Sequence, residues 1–266
     1  MKSFLSFLLF SNCLFAQTLT VKFNFHKNHI YSNAIETKRF TLKQNTDYSI
    51  FELDNIRDLN NFKNKEHISV MNDRDTIVFY NLNDEGFTAL YHEKVFKDFK
   101  NNFQINSELI KLQRTYFVKD KVNLFDWEIL NNNDTLIANY HCKKATTKFR
   151  GRDYVAYYTN EIANQGGPWK FDGLPGFILY VKSKDNFIII EPTEIKLEYK
   201  ENKSLNNPFE EKKSIAFEEL TQVYIIQEKK ISARAKARPN PPDNIKFGLP
   251  PTIEKIPALE KERIYE

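Results

Sequence analysis

The sequence predicts a mainly β protein of the α+β class: an antiparallel, strongly curved sheet or half-barrel with a C-terminal helix. Three observations predict it. Segments that alternate apolar and polar residues follow one another with short Asn- and Asp-rich turns between them, which favours antiparallel pairing over alternating β and α units. Four of the seven glycines fall within residues 166–177, which marks one ordered loop inside that sheet. Residues 214–238 carry an apolar stripe at helical spacing and a run of cations towards their end.

Residues 1–16 read as a secretory signal peptide. Lys2 precedes the apolar run 4–10, and Ala16 stands before Gln17 as a small residue at the cleavage point. The run is too short for a spanning helix, and no later stretch is apolar enough to serve as one. Cleavage after Ala16 is the expectation; lipidation of Cys13 is the rival. Removing Lys2 takes the formal charge from +4 to +3, spread over both signs, which gives no concentrated basic face for nucleic acid. The expected location is the periplasm or the extracellular space. The mature chain keeps one cysteine, Cys142, so it holds no internal disulfide; a buried strand thiol is expected there.

The β domain is expected over residues 17–200. Residues 18–26 place Leu19, Val21, Phe23 and Phe25 on one face, as a half-buried strand does. Residues 39–43 and 47–53 repeat the pattern, and 54–66 read as a polar loop. Strands are expected at 67–71 and 76–80 around a turn at 72–74, then a turn at 83–86 and extended chain at 87–91. The period of 94–106 is not legible, and 107–118 fits helix or strand. Residues 123–130 read as a strand, Asn131-Asn132-Asn133-Asp134 as its hairpin turn, and 135–143 as the return strand, with Leu136, Ala138, Tyr140 and Cys142 on one face. Further strands are expected at 153–159, 177–182, 187–191 and 194–199. Residues 201–238 form a charged linker and the helix, with Ser214 as its cap. The Pro-rich tail, 239–266, is expected to be extended and partly disordered.

The glycine-rich stretch runs Gly167-Pro168-Trp169-Lys170-Phe171-Asp172-Gly173-Leu174-Pro175-Gly176-Phe177-Ile178. Glycine admits backbone angles closed to other residues, and proline fixes φ. Leu174 to Phe177 reads as a type II turn with Gly176 at its third position. Trp169, Phe171 and Leu174 alternate inward, which would turn Lys170 and Asp172 outward. Gly167, Pro168, Gly173, Leu174, Pro175 and Gly176 are therefore read as the structural frame of the loop.

This stretch closely resembles the signature of the GLPGLI family of exported proteins from one group of Gram-negative bacteria, with Phe177 in place of the usual leucine. The upstream segment is also similar to the family, from Trp127 through Cys142, Phe149, Gly151-Arg152 and Tyr154 to Glu161-Ile162. Tyr157 stands where members often carry tryptophan, and Ala163 where they often carry proline. The resemblance covers residues 120–200. It implies export and supplies no activity.

The residues themselves point to no assembled catalytic set. The glycines lack both a following Gly-Lys-Ser/Thr and a G-x-G-x-x-G leading into a helix, so a phosphate cradle is not indicated. There is no G-x-S-x-G elbow. His26 and His29 lack the spacing and the glutamate of a zinc motif, so no metal and no cofactor is expected. Candidate binding residues are Trp169, Lys170, Asp172, Arg152 and Glu161: a ring, two cations and two carboxylates on or beside the loop. Arg152 is expected to anchor the loop through a carboxylate. The functional expectation is a non-catalytic envelope module that binds a ligand or an outer-membrane partner. The alternatives are a hydrolase using carboxylates near the loop, such as Asp172 and Glu161, and an envelope assembly factor.

Overall fold

The computed structural model of the chain describes residues 17–29, 34–54, 68–71, 77–80, 93–110, 114–199, 205–237 and 253–256. The leader expected at 1–16, the turns at 72–74 and 83–86, the extended segment at 87–91 and most of the loop 54–66 lie outside the described residues.

The strands are β1 (Gln17–His29), β2 (Ala34–Gln44), β3 (Tyr48–Leu53), β4 (Ile68–Met71), β5 (Ile77–Tyr80), β6 (Lys94–Asp98) and β7 (Phe103–Ile110). They continue with β8 (Arg114–Asp120), β9 (Glu128–Ile137), β10 (Tyr140–Phe149), β11 (Arg152–Thr159), β12 (Phe177–Ser183), β13 (Ile188–Tyr199) and β14 (Ser214–Ile215), before helix α1 (Phe217–Lys236). Twelve strands make one open sheet in the order β14-β8-β7-β6-β3-β2-β1-β13-β12-β11-β10-β9, and β4 and β5 pair separately. Every pairing is antiparallel except β14 on β8. The expected mainly β architecture with a curved antiparallel sheet and a C-terminal helix is the observed one.

Strand β1 shows why the alternation succeeds. Leu19, Val21 and Phe23 are buried completely and Phe25 nearly so, while Lys22 points to water. A strand buried on one face must alternate in this way. The segments at 187–191 and 194–199 join into the single strand β13, with Thr193 left over where the register against β1 shifts. Of residues 107–118, which fit helix or strand, 107–110 belong to β7 and 114–118 to β8.

The sheet curls until its flanks meet. In the strand order, β8 and β11 are eight spacings apart, roughly 38 Å if the sheet were flat. Yet Arg150, in the turn before β11, donates through Nη2 to Asp120 at the end of β8 at 2.7 Å. The concave side holds the main core, built from β1, β2, β3, β6, β10, β11, β12 and β13 together with Phe125 and the loop residues Trp169, Phe171 and Leu174. A second, smaller cluster seats α1 on the sheet through Leu220 and Tyr224 against Ile110, Val118 and Ile256.

Three local expectations are corrected. The β9–β10 hairpin turns at Ala138-Asn139, whose φ values are 49° and 69°, with Ile137 opposite Tyr140. Two successive positive φ angles match the right-handed twist of the flanking strands. The run Asn131–Asp134 instead sits in β9, where the register skips between Leu130 opposite Lys144 and Thr135 opposite Cys142. Because the chain reverses between Leu136 and Cys142, the proposed face is split: Leu136 lies opposite His141 and is 59% exposed, while Cys142 is buried. Ser214 lies in β14, opposite Phe117, rather than at the helix cap. Ala216 takes the cap position before Phe217, and its N–H donates to Glu219 at 3.4 Å, one half of a capping box. Residues 253–256, the described part of the tail, are packed on the body, with Glu254 and Ile256 buried.

Burial pushes the Cys142 thiol up to about 11, so at pH 8 it is a protonated, enclosed group. A maleimide should label it slowly in the native protein and rapidly in denaturant. Equal rates would mean that the thiol is accessible.

Candidate functional site

Residues 160–176 leave the end of β11 and return into β12 across the concave face of the sheet. The N–H of Ile178 closes the loop onto the Gly166 carbonyl at 2.8 Å. Inside it, Pro168 to Phe171 form a tight turn, with Phe171 N–H on the Pro168 carbonyl at 3.0 Å. Trp169 occupies that turn with φ of +50°. A non-glycine residue rarely adopts this conformation, at a cost of about 1–3 kcal/mol.

The turn explains why alternation fails here. An extended Trp169-Lys170-Phe171-Asp172 would put two side chains inward and two outward. The reversal at Trp169 cancels that two-residue period, and all four are buried. Lys170 is completely enclosed and Asp172 is 1% exposed, so the expectation that both face outward is corrected.

Each buried charge has a partner. Lys97, from β6, approaches Asp172 Oδ2 at 3.1 Å and donates to the Phe171 carbonyl at 2.8 Å. Asp172 also accepts the Asn123 N–H at 2.8 Å, and its own carbonyl accepts the Trp127 indole N–H at 2.7 Å. Burial lowers the Lys97 ammonium below its ordinary value, and the Asp172 carboxylate offsets this only in part. Lys170 donates to both Glu254 oxygens, at 2.9 and 3.1 Å, and lies 3.4 Å from Asp120. Arg150 bridges Asp120 and Glu254 and stacks over the Phe217 ring at 3.4 Å. Burial would raise the Asp120 carboxyl, but the hydrogen bond from Arg150 and the charges of Lys170 and Arg150 hold it below the ordinary range.

The rings are arranged around Phe171. Its centroid lies 4.9 Å from Phe125, 5.1 Å from Tyr154 and 5.2 Å from Trp169. Gly173 and Gly176 act differently from one another. Gly173 holds φ of +87°, as a glycine position should. Gly176 has no positive φ. A side chain there would meet Asn160 Oδ1 at 2.6 Å and the Thr159 carbonyl closer still. Its N–H bonds the Leu174 carbonyl at 2.8 Å, a three-residue turn centred on Pro175 in place of the expected type II turn.

Arg152 and Glu161 do not join this cluster. Arg152 pairs with Asp185 in the β12–β13 turn and donates to the Ile253 carbonyl at 3.0 Å, so the carboxylate it meets lies outside the glycine loop. Glu161 is exposed and accepts the His141 N–H at 2.9 Å. His26 is held by Thr37 at 2.8 Å and Glu191 at 3.1 Å. Among the described residues, no cluster of three or more His, Cys, Asp or Glu is placed to hold a metal, and no helix is long and apolar enough to cross a membrane.

Sequence reasoning missed Lys97, Asp120, Arg150 and Glu254, because their partners come from strands and a tail distant in the chain. It also missed an open groove of about 720 Å³ on the outer face of β9 to β12, lined by Lys144, Tyr157, Tyr180 and Lys182 among others. The alternation in β11 does mark Val155 and Tyr157 as outward positions. The register that sets them beside Lys144 and Tyr180 is a tertiary fact.

No family model matches the chain, and no curated protein matches it. Among solved structures, two crystal forms of PNGF-II align with 76% and 73% of this chain at 17% identity, with TM-scores of 0.46 and 0.45. The chain spans 30% of the length of each PNGF-II chain. An outer membrane lipoprotein-sorting protein domain from Vibrio parahaemolyticus aligns over 74% of this chain and 90% of its own at 9% identity, with a TM-score of 0.29. These likenesses are too loose to carry an activity across.

Proposed function

We propose that this is an exported, non-catalytic binding module of the cell envelope, of the GLPGLI type that its sequence resembles. The observation that supports this reading is the state of the glycine loop. Lys170 and Asp172 are enclosed and matched by charges within the chain. A general acid or base must lie within hydrogen-bond reach of its substrate, and Asp172 at 1% exposure has no such access. The signature residues therefore build the scaffold, and binding falls to the outside of the sheet. The leader pattern at residues 1–16 supports export to the periplasm or beyond.

Fractionation of the producing cells followed by mass spectrometry of the native chain tests this. A protein that begins at Gln17 in the periplasmic or extracellular fraction is expected. An intact Met1 in the cytosol would overturn the envelope reading, and a lipidated Cys13 would replace simple cleavage with anchoring.

A further inference from the structure

We infer that the outer groove of β9 to β12 is a recognition site for an acidic polysaccharide, one carrying uronate or sulfate groups. The inference rests on the binding-module reading and names its ligand class.

The floor of the groove is built by register. Lys144 of β10 lies opposite Tyr157 of β11, which lies opposite Tyr180 of β12. Val155 lies opposite Lys182 in the next outward row. The two tyrosine rings meet nearly at right angles, 68°, with centroids 5.8 Å apart. Both are half-buried, so each keeps part of its surface in contact with water.

Charge complementarity sets the sign of the ligand. Lys144, Lys182 and Lys184 line the groove, and among the described residues no aspartate or glutamate does. None of the three lysines has a carboxylate within 4.0 Å among the ion pairs of the described residues. A concave surface lined by one sign of charge concentrates ligands of the other. Lys144 and Lys182 stand two strands apart, roughly 10 Å across the sheet, so they suit an extended ligand with repeated charges better than one small anion.

The backbone separates saccharide from peptide. An acidic peptide gains much of its affinity from main-chain hydrogen bonds to an exposed strand edge. Strands β10, β11 and β12 are paired on both sides, so the floor offers side chains only, and the unpaired sheet edge lies along β9 at the margin of the groove. Tyrosine rings can pack on the C–H face of a sugar ring, while Thr135 and Asn186 supply hydroxyl and amide groups at the wall. Burial first, then the nearby Glu191 carboxylate, raises the Tyr180 phenol, which keeps it a neutral donor at pH 7.

Calorimetric titration of the mature chain tests the assignment with an oligogalacturonate, a neutral maltohexaose and a poly-glutamate of matched charge. Saturable binding of the uronate, weakened by salt and at least tenfold tighter than either control, is expected. The double variant Lys144→Gln/Lys182→Gln should weaken it at least tenfold with an unchanged melting temperature, and Tyr157→Phe should weaken it less. Equal binding of poly-glutamate, no uronate binding, or binding unaffected by the double variant would overturn the inference. Cleavage of the oligogalacturonate would instead overturn the non-catalytic reading and leave the groove as its site. A protein that starts at Gln17 in the envelope fraction yet binds no acidic glycan would leave the envelope reading intact.

Discussion

Replacing Asp172 by Ala is expected to lower the unfolding free energy by about 3–5 kcal/mol, the range for breaking a buried ion pair from one side. The loss comes less from the attraction removed than from the charge left behind. Lys97 is 1% exposed, and without Asp172 its ammonium keeps only the carbonyls of Phe171 and Gly167. The Asn123 N–H loses its acceptor as well. Adding Lys97→Met should restore most of the loss, because an apolar side chain of similar length needs no counter-charge there. Urea unfolding of the two single variants and the double variant gives the coupling directly. The pH dependence supplies a second reading. Burial already lowers the Lys97 ammonium, and removing Asp172 lowers it further. Between that depressed value and the unfolded value of about 10.4 the unfolded chain holds more protons, so the Asp172→Ala protein should gain stability as pH rises. A variant as stable as the parent at pH 7 would show that the pair does not hold the loop.

Phe171→Ala should cost about 3–5 kcal/mol, as truncations of buried aromatic rings do. Phe171 is completely buried and touches rings from three other parts of the chain: Phe125 and Trp127 before β9, Tyr154 in β11 and Trp169 beside it. Its loss opens a cavity at the point where the loop is pinned to the concave face. Phe171→Leu should cost less, since it keeps most of the volume. Thermal melts of both variants check this. A Phe171→Ala protein with an unchanged melting temperature would mean that the loop is not part of the core.

Much of the fold was legible because one-sided burial writes itself into alternation. Leu19, Val21, Phe23 and Phe25 declare both a strand and its inner face. Where the chain reverses within two residues the signal disappears. At Trp169 a left-handed residue turns Lys170 inward, and at Ala138-Asn139 a hairpin turn displaces the one that the four residues Asn131–Asp134 suggest. Both turns use positive φ at residues other than glycine, which composition does not announce. The candidate site was legible as a place and not as an arrangement. Trp169, Lys170 and Asp172 were singled out, but their partners Lys97, Asp120 and Glu254 are each at least 50 residues away in sequence and look like ordinary surface charges.

By itself the sequence determined that this chain is an antiparallel β protein with a late helix and that its glycine-rich stretch is an ordered loop. Those are consequences of local periodicity and of the backbone preferences of glycine and proline, which act over a few residues. Only the tertiary structure decided that the sheet curls until Arg150 meets Asp120, that the loop's charges are neutralised inside, that Glu254 of the tail completes the cluster, and that Lys144, Tyr157, Tyr180 and Lys182 share an outer groove. Each of these depends on strand order and register, which are set by how the apolar faces of distant strands share one core and by the need to pair every buried charge.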